Sequence, residues 1–95
     1  MTDQNFDSEI SFLKCIGGEI RFEILQLLRD RSLSVGKIAK EIEIDQTLAS
    51  HHLKNMHDCG IVEKERDGKK IIYNISSESI NDLVDDLKNV CEEVC

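Results

Sequence analysis

The chain lacks the residues that mark several other classes of protein. Its 95 residues include no tryptophan, no proline, one tyrosine and three phenylalanines. This composition argues against a β-sandwich or a disordered segment and favours a small helical domain. No stretch approaches the roughly 20 apolar residues of a membrane span, and the acidic residues 1–9 do not resemble a signal peptide. We therefore expect one cytoplasmic domain over residues 1–95, with no membrane partner.

The net charge of −7 is unevenly distributed along the chain. Residues 18–75 carry ten basic and ten acidic side chains, whereas residues 76–95 carry six acidic side chains and one lysine. The acidity is therefore concentrated towards the two ends, and the middle of the chain is neutral. Net charge bears on solubility and long-range steering rather than on what one face can bind, so the acidity does not exclude a nucleic-acid partner.

Apolar residues recur at helical spacing in five segments. Ser34 and Asp45 are suitable N-caps for the third and fourth helices, and Gly60 suits the left-handed position that ends a helix. The pattern predicts a first helix before Gly17, a second from Glu19, a third over 34–42, a fourth from Asp45 to Cys59 and a last one from Ser77.

Between the fourth and fifth helices the apolar period changes to that of extended strands. Residues 61–66 and 69–75 are separated by Asp67-Gly68, a pair that a type I′ hairpin turn favours. The predicted fold is therefore mainly α with a β-hairpin wing, in the order four helices, hairpin, helix. This is a winged helix-turn-helix, in the α+β class.

In such a fold the second helix of the helix-turn-helix enters the DNA major groove, and hairpin cations reach phosphates. The fourth helix exposes short polar side chains that can hydrogen-bond to base edges, and basic residues surround the hairpin tip. The predicted DNA contacts are Gln46, Thr47, Ser50, His51 and Lys54 of the helix, and Lys64, Arg66, Lys69 and Lys70 of the hairpin.

Residues 44–54, I-D-Q-T-L-A-S-H-H-L-K, resemble the recognition-helix signature of the ArsR/SmtB family of metal-responsive winged-helix repressors, in which an apolar residue precedes S-Q-S-T-V-S-H-H-L-K. Residues 58–62, D-C-G-I-V, resemble the family's helix exit. Upstream, residues 13–16 and Arg21 resemble its F-K-A-L-A-D-P-T-R motif. The resemblance covers about residues 10–80. It implies a homodimer, paired through the first and last helices, that represses a promoter until an inducer binds.

The family's inducer sites are not matched in this sequence. Ser34-Val35-Gly36 stands where the metalloid and cadmium sensors carry C-V-C. Residues 77–95 contain no histidine, whereas the zinc sensors use Asp and His pairs along the last helix. Gly18-Glu19 also replaces the usual D-P before the second helix. The known metal sites of the family therefore do not carry over.

The four cysteines fall into two pairs. In a chain without a signal peptide they favour free thiols or metal ligands over structural disulfides. Cys15 and Cys59 fall where the family has alanine, which favours small buried side chains. Cys91 and Cys95 lie one helical turn apart on the stripe expected at the dimer seam. We hypothesise that these two thiols of both subunits, joined by Cys15, bind a soft metal ion or arsenite as inducer; the alternative is that they only pack.

No nucleophile with a positioned base and no glycine-rich phosphate loop is recognisable, so neither enzymatic activity nor a small organic substrate is expected. The expected partners are double-stranded operator DNA and a second copy of the chain. Two alternatives stay open: a winged-helix module that binds another protein and not DNA, and a constitutive DNA-binding regulator without a metal inducer.

Overall fold

The computed structural model describes residues 5–95. The elements in chain order are α1 (Asp7–Ile16), α2 (Glu19–Leu27), β1 (Leu33–Ser34), α3 (Val35–Ile42), α4 (Gln46–Asp58), β2 (Val62–Asp67), β3 (Lys70–Ile75) and α5 (Glu78–Val94). The strands form one antiparallel sheet in the order β1-β3-β2. This confirms the predicted winged helix-turn-helix and adds β1, a strand that the sequence pattern did not predict.

The helix-turn-helix begins at the two predicted N-caps. The Ser34 hydroxyl accepts a hydrogen bond from the amide of Lys37 at 3.3 Å, at the start of α3. The Asp45 carboxylate accepts one from the amide of Thr47 at 3.1 Å, at the start of α4. Each cap pairs an amide that the helix leaves without an intrahelical partner, and so fixes where the helix starts.

The end of α4 is also where the sequence predicts it. Gly60 has φ +83°, the left-handed conformation that glycine adopts without steric cost. The amide of Ile61 donates to the carbonyl of Met56 at 2.9 Å, as in a Schellman motif. The motif turns the chain back so that Ile61 is fully buried.

The core lies between α2, the helix-turn-helix, the sheet and the first half of α5. It fixes which face of α3 and α4 points outward, since each buried aliphatic side chain stabilises the fold by about 1.5–3 kcal/mol. Its buried members are Ile24, Leu25, Leu28, Ile38, Leu53, Met56, Ile61, Val62, Tyr73, Ile80 and Val84.

The hairpin turn lies one residue later than predicted. Asp67 pairs with Lys70, so the loop is Gly68-Lys69 and the prediction of a turn at Asp67-Gly68 was wrong. Gly68 has φ +65° and Lys69 has no positive φ, as a type II′ turn requires. The register pairs Val62 with Ile75, at the apolar end of the hairpin. Because a hairpin keeps one register along its length, this pairing leaves Gly68 and Lys69 for the loop.

Helix α5 is attached to the turn that follows α2 by a polar contact as well as by the core. The Arg29 guanidinium donates to both carboxylate oxygens of Asp85, with 2.7 Å between Nη2 and Oδ2. It also donates to the carbonyl of Asn81 at 3.2 Å.

Although α5 has 17 residues, no helix within residues 5–95 combines the length and the apolar character needed to cross a bilayer.

Candidate nucleic-acid interface

Helix α4 turns a polar face to solvent. Ala49, Leu53 and Met56 are buried and define its inner face. The helix has about 3.6 residues per turn, so the side chains that point away from this inner face form an outer face that extends over three successive turns. All five predicted residues of this helix are exposed: Gln46, Thr47, Ser50, His51 and Lys54.

The two adjacent histidines of α4 point in different directions. His51 is exposed, with Nε2 3.4 Å from Nδ2 of Asn55. His52 is half-buried, as its place on the helix predicts, and its Nδ1 accepts a hydrogen bond from Nε of Arg21 at 3.0 Å. Burial lowers the pKa of His52 below 6.5, and the neighbouring charges of Arg21 and His51 lower it further. His52 is therefore a neutral support for the helix, and His51 is the histidine that faces outward.

Strand alternation separates the charges of the wing, which comprises β2, β3 and the turn between them. Lys64 and Arg66 share one face of β2, whereas Glu63 and Glu65 share the other. Nε of Arg66 donates to the carbonyl of Gly68 at 3.3 Å, so this side chain lies along the turn. One face of β2 is therefore basic although acids and bases alternate along its sequence.

The remaining two predicted wing residues lie elsewhere on the hairpin. Lys69 is in the turn itself, and Lys70 pairs across the hairpin with Asp67. Because directly paired residues point to the same face, Lys70 lies with the acidic side chains and not with Lys64 and Arg66. The nine predicted residues are all exposed, but they do not form one continuous face.

Two exposed residues beside the site were not among the predicted contacts. Leu48 of α4 is 39% exposed, an apolar side chain of the kind that contacts thymine methyl groups. Lys37 is exposed in the first turn of α3. A Cβ built on Gly36 would lie 3.6 Å from Oε1 of Gln46, so the Gln46 side chain lies beside this turn. The helical periodicity that places Ala49 on the inner face of α4 also places Leu48 on the outer face, so the sequence was sufficient to identify Leu48 as a candidate contact.

Cys15 and Cys59 form a disulfide with 6.4 Å between their Cα atoms. Cys59 is exposed and Cys15 is half-buried. The prediction that both are small buried side chains without a disulfide was therefore wrong. The physical reason is tertiary: the last turn of α1 packs beside the end of α4, within the Cα separation that a disulfide needs.

Cys91 and Cys95 are free and exposed, one turn apart at the end of α5. Cys15 is bonded to Cys59, so the expectation that it joins these thiols as a ligand does not hold in this structure. Within residues 5–95 no group of three or more His, Cys, Asp or Glu side chains is arranged to hold a metal ion.

Helices α1 and α5 leave an apolar face uncovered, which we call the α1/α5 face. A groove between the two helices is lined by Phe12, Leu13, Ile16, Phe22, Leu83 and Leu87, among others. An apolar patch of this kind on a small domain marks an interaction surface. The exposed fractions of the side chains that define the face are 48% for Ile10, 61% for Leu13, 41% for Leu83, 45% for Leu87 and 50% for Val90.

Comparisons with known proteins agree with this geometry. Residues 18–64 match the model of the arsR family of bacterial regulatory proteins. The cadmium resistance transcriptional regulatory protein CadC of Listeria innocua is 34% identical over 93 residues, which cover 95% of this chain and 78% of CadC. The crystal structure of Rv0081 from Mycobacterium tuberculosis matches with a TM-score of 0.89 and 26% identity, covering 98% of this chain and 94% of that one.

A second solved structure matches over most of both chains. It is the solution structure of the homodimeric winged helix-turn-helix DNA-binding domain of Mb0332 from Mycobacterium bovis, described as a possible ArsR-family transcriptional regulator. The TM-score is 0.86 at 27% identity, and the match covers 98% of this chain and 92% of that domain.

Proposed function

Because this chain belongs to the ArsR family of bacterial regulatory proteins, we propose that it is a sequence-specific DNA-binding transcriptional repressor that acts as a homodimer in the cytoplasm. The observation that carries the proposal is the exposed polar face of α4, which lies in a winged helix-turn-helix with a basic face on β2. The function is binding and not catalysis, in keeping with relatives that are transcriptional regulators.

In this function α4 is the recognition helix, which enters the major groove. Thr47, Ser50 and His51 are short enough for the backbone of α4 to approach base edges, and each can donate or accept a hydrogen bond. Lys54 and the bases of the wing are suited to phosphates, which position the protein without specifying sequence. Specificity is therefore assigned to α4 and most of the salt-dependent affinity to the wing.

The α1/α5 face supports the dimer. Its exposed leucines and valine would be covered by the same face of a second copy, as in an isologous interface with two-fold symmetry. The six acidic side chains of residues 76–95 favour a position of α5 away from phosphates, because like charges repel. A dimer of this kind would bind a palindromic duplex with half-sites about one or two helical turns apart.

For the inducer we propose a soft ion held by Cys91 and Cys95 of both subunits. The two thiols are exposed one turn apart, and Cys91 lines an apolar groove with Phe22 and Leu87, beside the α1/α5 face. Four thiolates suit zinc or cadmium, and three suit a trivalent metalloid such as arsenite. The ion's own charge would favour deprotonation of thiols that lie among carboxylates.

The test is fluorescence anisotropy with a labelled duplex from immediately upstream of the gene, against a scrambled duplex. A Ser50→Ala, His51→Ala variant should lose specific affinity, since each good base contact is worth about 1–3 kcal/mol. The matched control is Ser79→Ala, Asn89→Ala, which removes two exposed polar side chains of α5 and leaves α4 unchanged. Equal affinity of the first variant and the wild type would refute the role of α4. If the wild type binds no duplex, the result would favour the alternative function, a winged-helix module that binds another protein and not DNA.

A further inference from the structure

The Cys15–Cys59 bond joins α1, a helix of the proposed dimer interface, to the end of α4, the proposed recognition helix. Cys15 lies in the last turn of α1, the helix of the α1/α5 face, and Cys59 is the C-cap residue of α4. The two cysteines are 44 residues apart in sequence. The bond therefore fixes a dimerisation helix directly to the end of the proposed recognition helix.

The bond is accessible from solvent. Cys59 is exposed, and both cysteines line a shallow groove together with Asp7, Ser8 and Ser11 of α1. On a helix of about 3.6 residues per turn, Cys15 lies opposite the side of α1 that carries Ile10 and Leu13. Pairing of two copies through the α1/α5 face would therefore leave this groove open to a small reagent.

Without the bond, the polar contacts between α1 and α4 in the described residues pass through one side chain. Nη1 of Arg21 donates to the carbonyls of Lys14 and Cys15, at 3.3 and 3.1 Å. Nε of the same guanidinium donates to Nδ1 of His52 in α4. Hydrogen bonds to a single half-buried side chain restrain a helix less than a covalent bond does. The bonded and reduced forms should therefore differ in how tightly α1 is held to α4.

We propose that Cys15 and Cys59 form a reversible disulfide that controls operator affinity, with a low-molecular-weight disulfide as the oxidant. The inference rests on the proposed function, because it assigns the bond a role in DNA binding. In a reducing compartment a protein disulfide is usually transient and redox-sensing rather than structural, and exposed disulfides are the labile ones.

The Cys15–Cys59 bond forms by thiol–disulfide exchange in two steps. The thiolate of one cysteine attacks a sulfur of the reagent, breaks its S–S bond and releases one small thiol. The thiolate of the other cysteine then attacks the protein sulfur of the mixed disulfide, forms the Cys15–Cys59 bond and releases the second small thiol. Two electrons pass from the protein to the reagent, and the two protons lost by the cysteines are carried by the two released thiols.

The effect on DNA follows from the geometry of the dimer. A two-fold dimer binds both half-sites only if its recognition helices are correctly spaced. The bond fixes α4 relative to α1, and α1 is part of the surface that relates the two subunits. Oxidation therefore biases the spacing of the helices, and couplings of this kind change affinity by about 5–150-fold.

The experiment uses the full chain with Cys91→Ser and Cys95→Ser, so that only the pair in question can react. It is treated with hydroxyethyl disulfide or with a phosphine reductant and analysed by peptide mass mapping, amide hydrogen exchange and operator anisotropy. We expect a quantitative intramolecular Cys15–Cys59 bond, slower exchange at the ends of α1 and α4, and operator affinities that differ by at least about fivefold between the two forms. In the matched control, which adds Cys59→Ser, both treatments should give the same affinity.

The experiment distinguishes a failure of the redox inference from a failure of the proposed function. If neither form binds any duplex, the proposed function fails, and mass mapping with hydrogen exchange still decides whether the bond forms and holds α1 to α4. If no Cys15–Cys59 bond forms, or if it forms and the affinity for operator stays unchanged, the redox inference is overturned while the proposed function stands.

Discussion

Nε of Arg21 in α2 donates a hydrogen bond to Nδ1 of His52 in α4, over 3.0 Å. The contact requires a neutral imidazole whose own proton is on Nε2. Arg21 reaches at the same time to the carbonyl of Cys15 at the end of α1. One side chain of the second helix thus links the first helix to the proposed recognition helix, and the link depends on the protonation state of His52.

Stability should therefore fall in mild acid through His52. Its pKa in the folded protein is below 6.5, so the unfolded chain takes up a proton first as the pH falls. The stabilisation is fully present above about pH 6.5 and is lost as the pH falls through the folded value. His52→Gln should show a shallower pH dependence, by up to one bound proton, in urea unfolding between about pH 7.5 and about pH 5.5. His57→Gln is the control, and equal slopes for wild type and His52→Gln would contradict the prediction.

The two faces of the wing should contribute differently to DNA binding. Lys64→Ala, Arg66→Ala should weaken binding to all duplexes alike and reduce the slope of log affinity against log salt by about 0.9 for each phosphate that the variant no longer neutralises. We expect the same kind of effect from Lys69→Ala, Lys70→Ala, but a smaller one because Lys70 lies beside Asp67. Anisotropy over a salt series measures both. Lys88→Ala in α5 should leave the slope unchanged, and a wing variant with an unchanged slope would remove the wing from the interface.

A charge on the α1/α5 face should dissociate the dimer. Leu87 is 45% exposed in the single chain, and Leu87→Glu would place a carboxylate in the apolar contact between two subunits. We expect a folded monomer by circular dichroism and analytical ultracentrifugation, with much weaker operator binding because the two half-sites are no longer bound together. Asn89→Glu adds the same group on the opposite side of α5 and should stay dimeric. A dimeric Leu87→Glu protein would show that the subunits pair elsewhere.

The proposed inducer site can be tested separately from DNA binding. Cys91→Ser, Cys95→Ser should fold, dimerise and bind operator as the wild type does. The wild type should release operator when cadmium or arsenite is added, with affinity changed by about 5–150-fold, whereas the variant should not. Magnesium, a hard cation that prefers oxygen ligands, is the control ion. If the variant responds like the wild type, or the wild type ignores every soft ion tried, the thiols are not the sensor.

The sequence predicted those features that depend on neighbouring residues. Ser34 and Asp45 were recognisable as caps because a side-chain oxygen before an apolar-periodic segment pairs the free amides of the next turn. Gly60 was recognisable because the chain needs a positive φ there. The outward face of α4 followed from the spacing of Ala49, Leu53 and Met56. These are local rules, and together they were sufficient for the order of the helices and the hairpin.

What the sequence did not predict depends on contacts between distant segments. The strand β1 has two residues and no pattern of its own, and it exists because it pairs with β3. The contacts Arg21–His52 and Arg29–Asp85 join residues 31 and 56 positions apart. The pairing of four cysteines cannot be deduced from sequence alone, and only the packing of α1 against α4 selects Cys15 with Cys59.

That disulfide also closes a covalent ring. The ring begins in α1, passes through α2, β1, α3 and α4, and leaves the wing and α5 outside it. Restricting a loop of this length in the unfolded chain stabilises the folded state by about 4 kcal/mol on the chain-entropy model. A protease that cuts inside the ring leaves two fragments that stay covalently joined until a reductant is added, whereas after a cut in the wing unfolding alone separates α5 from the helix-turn-helix.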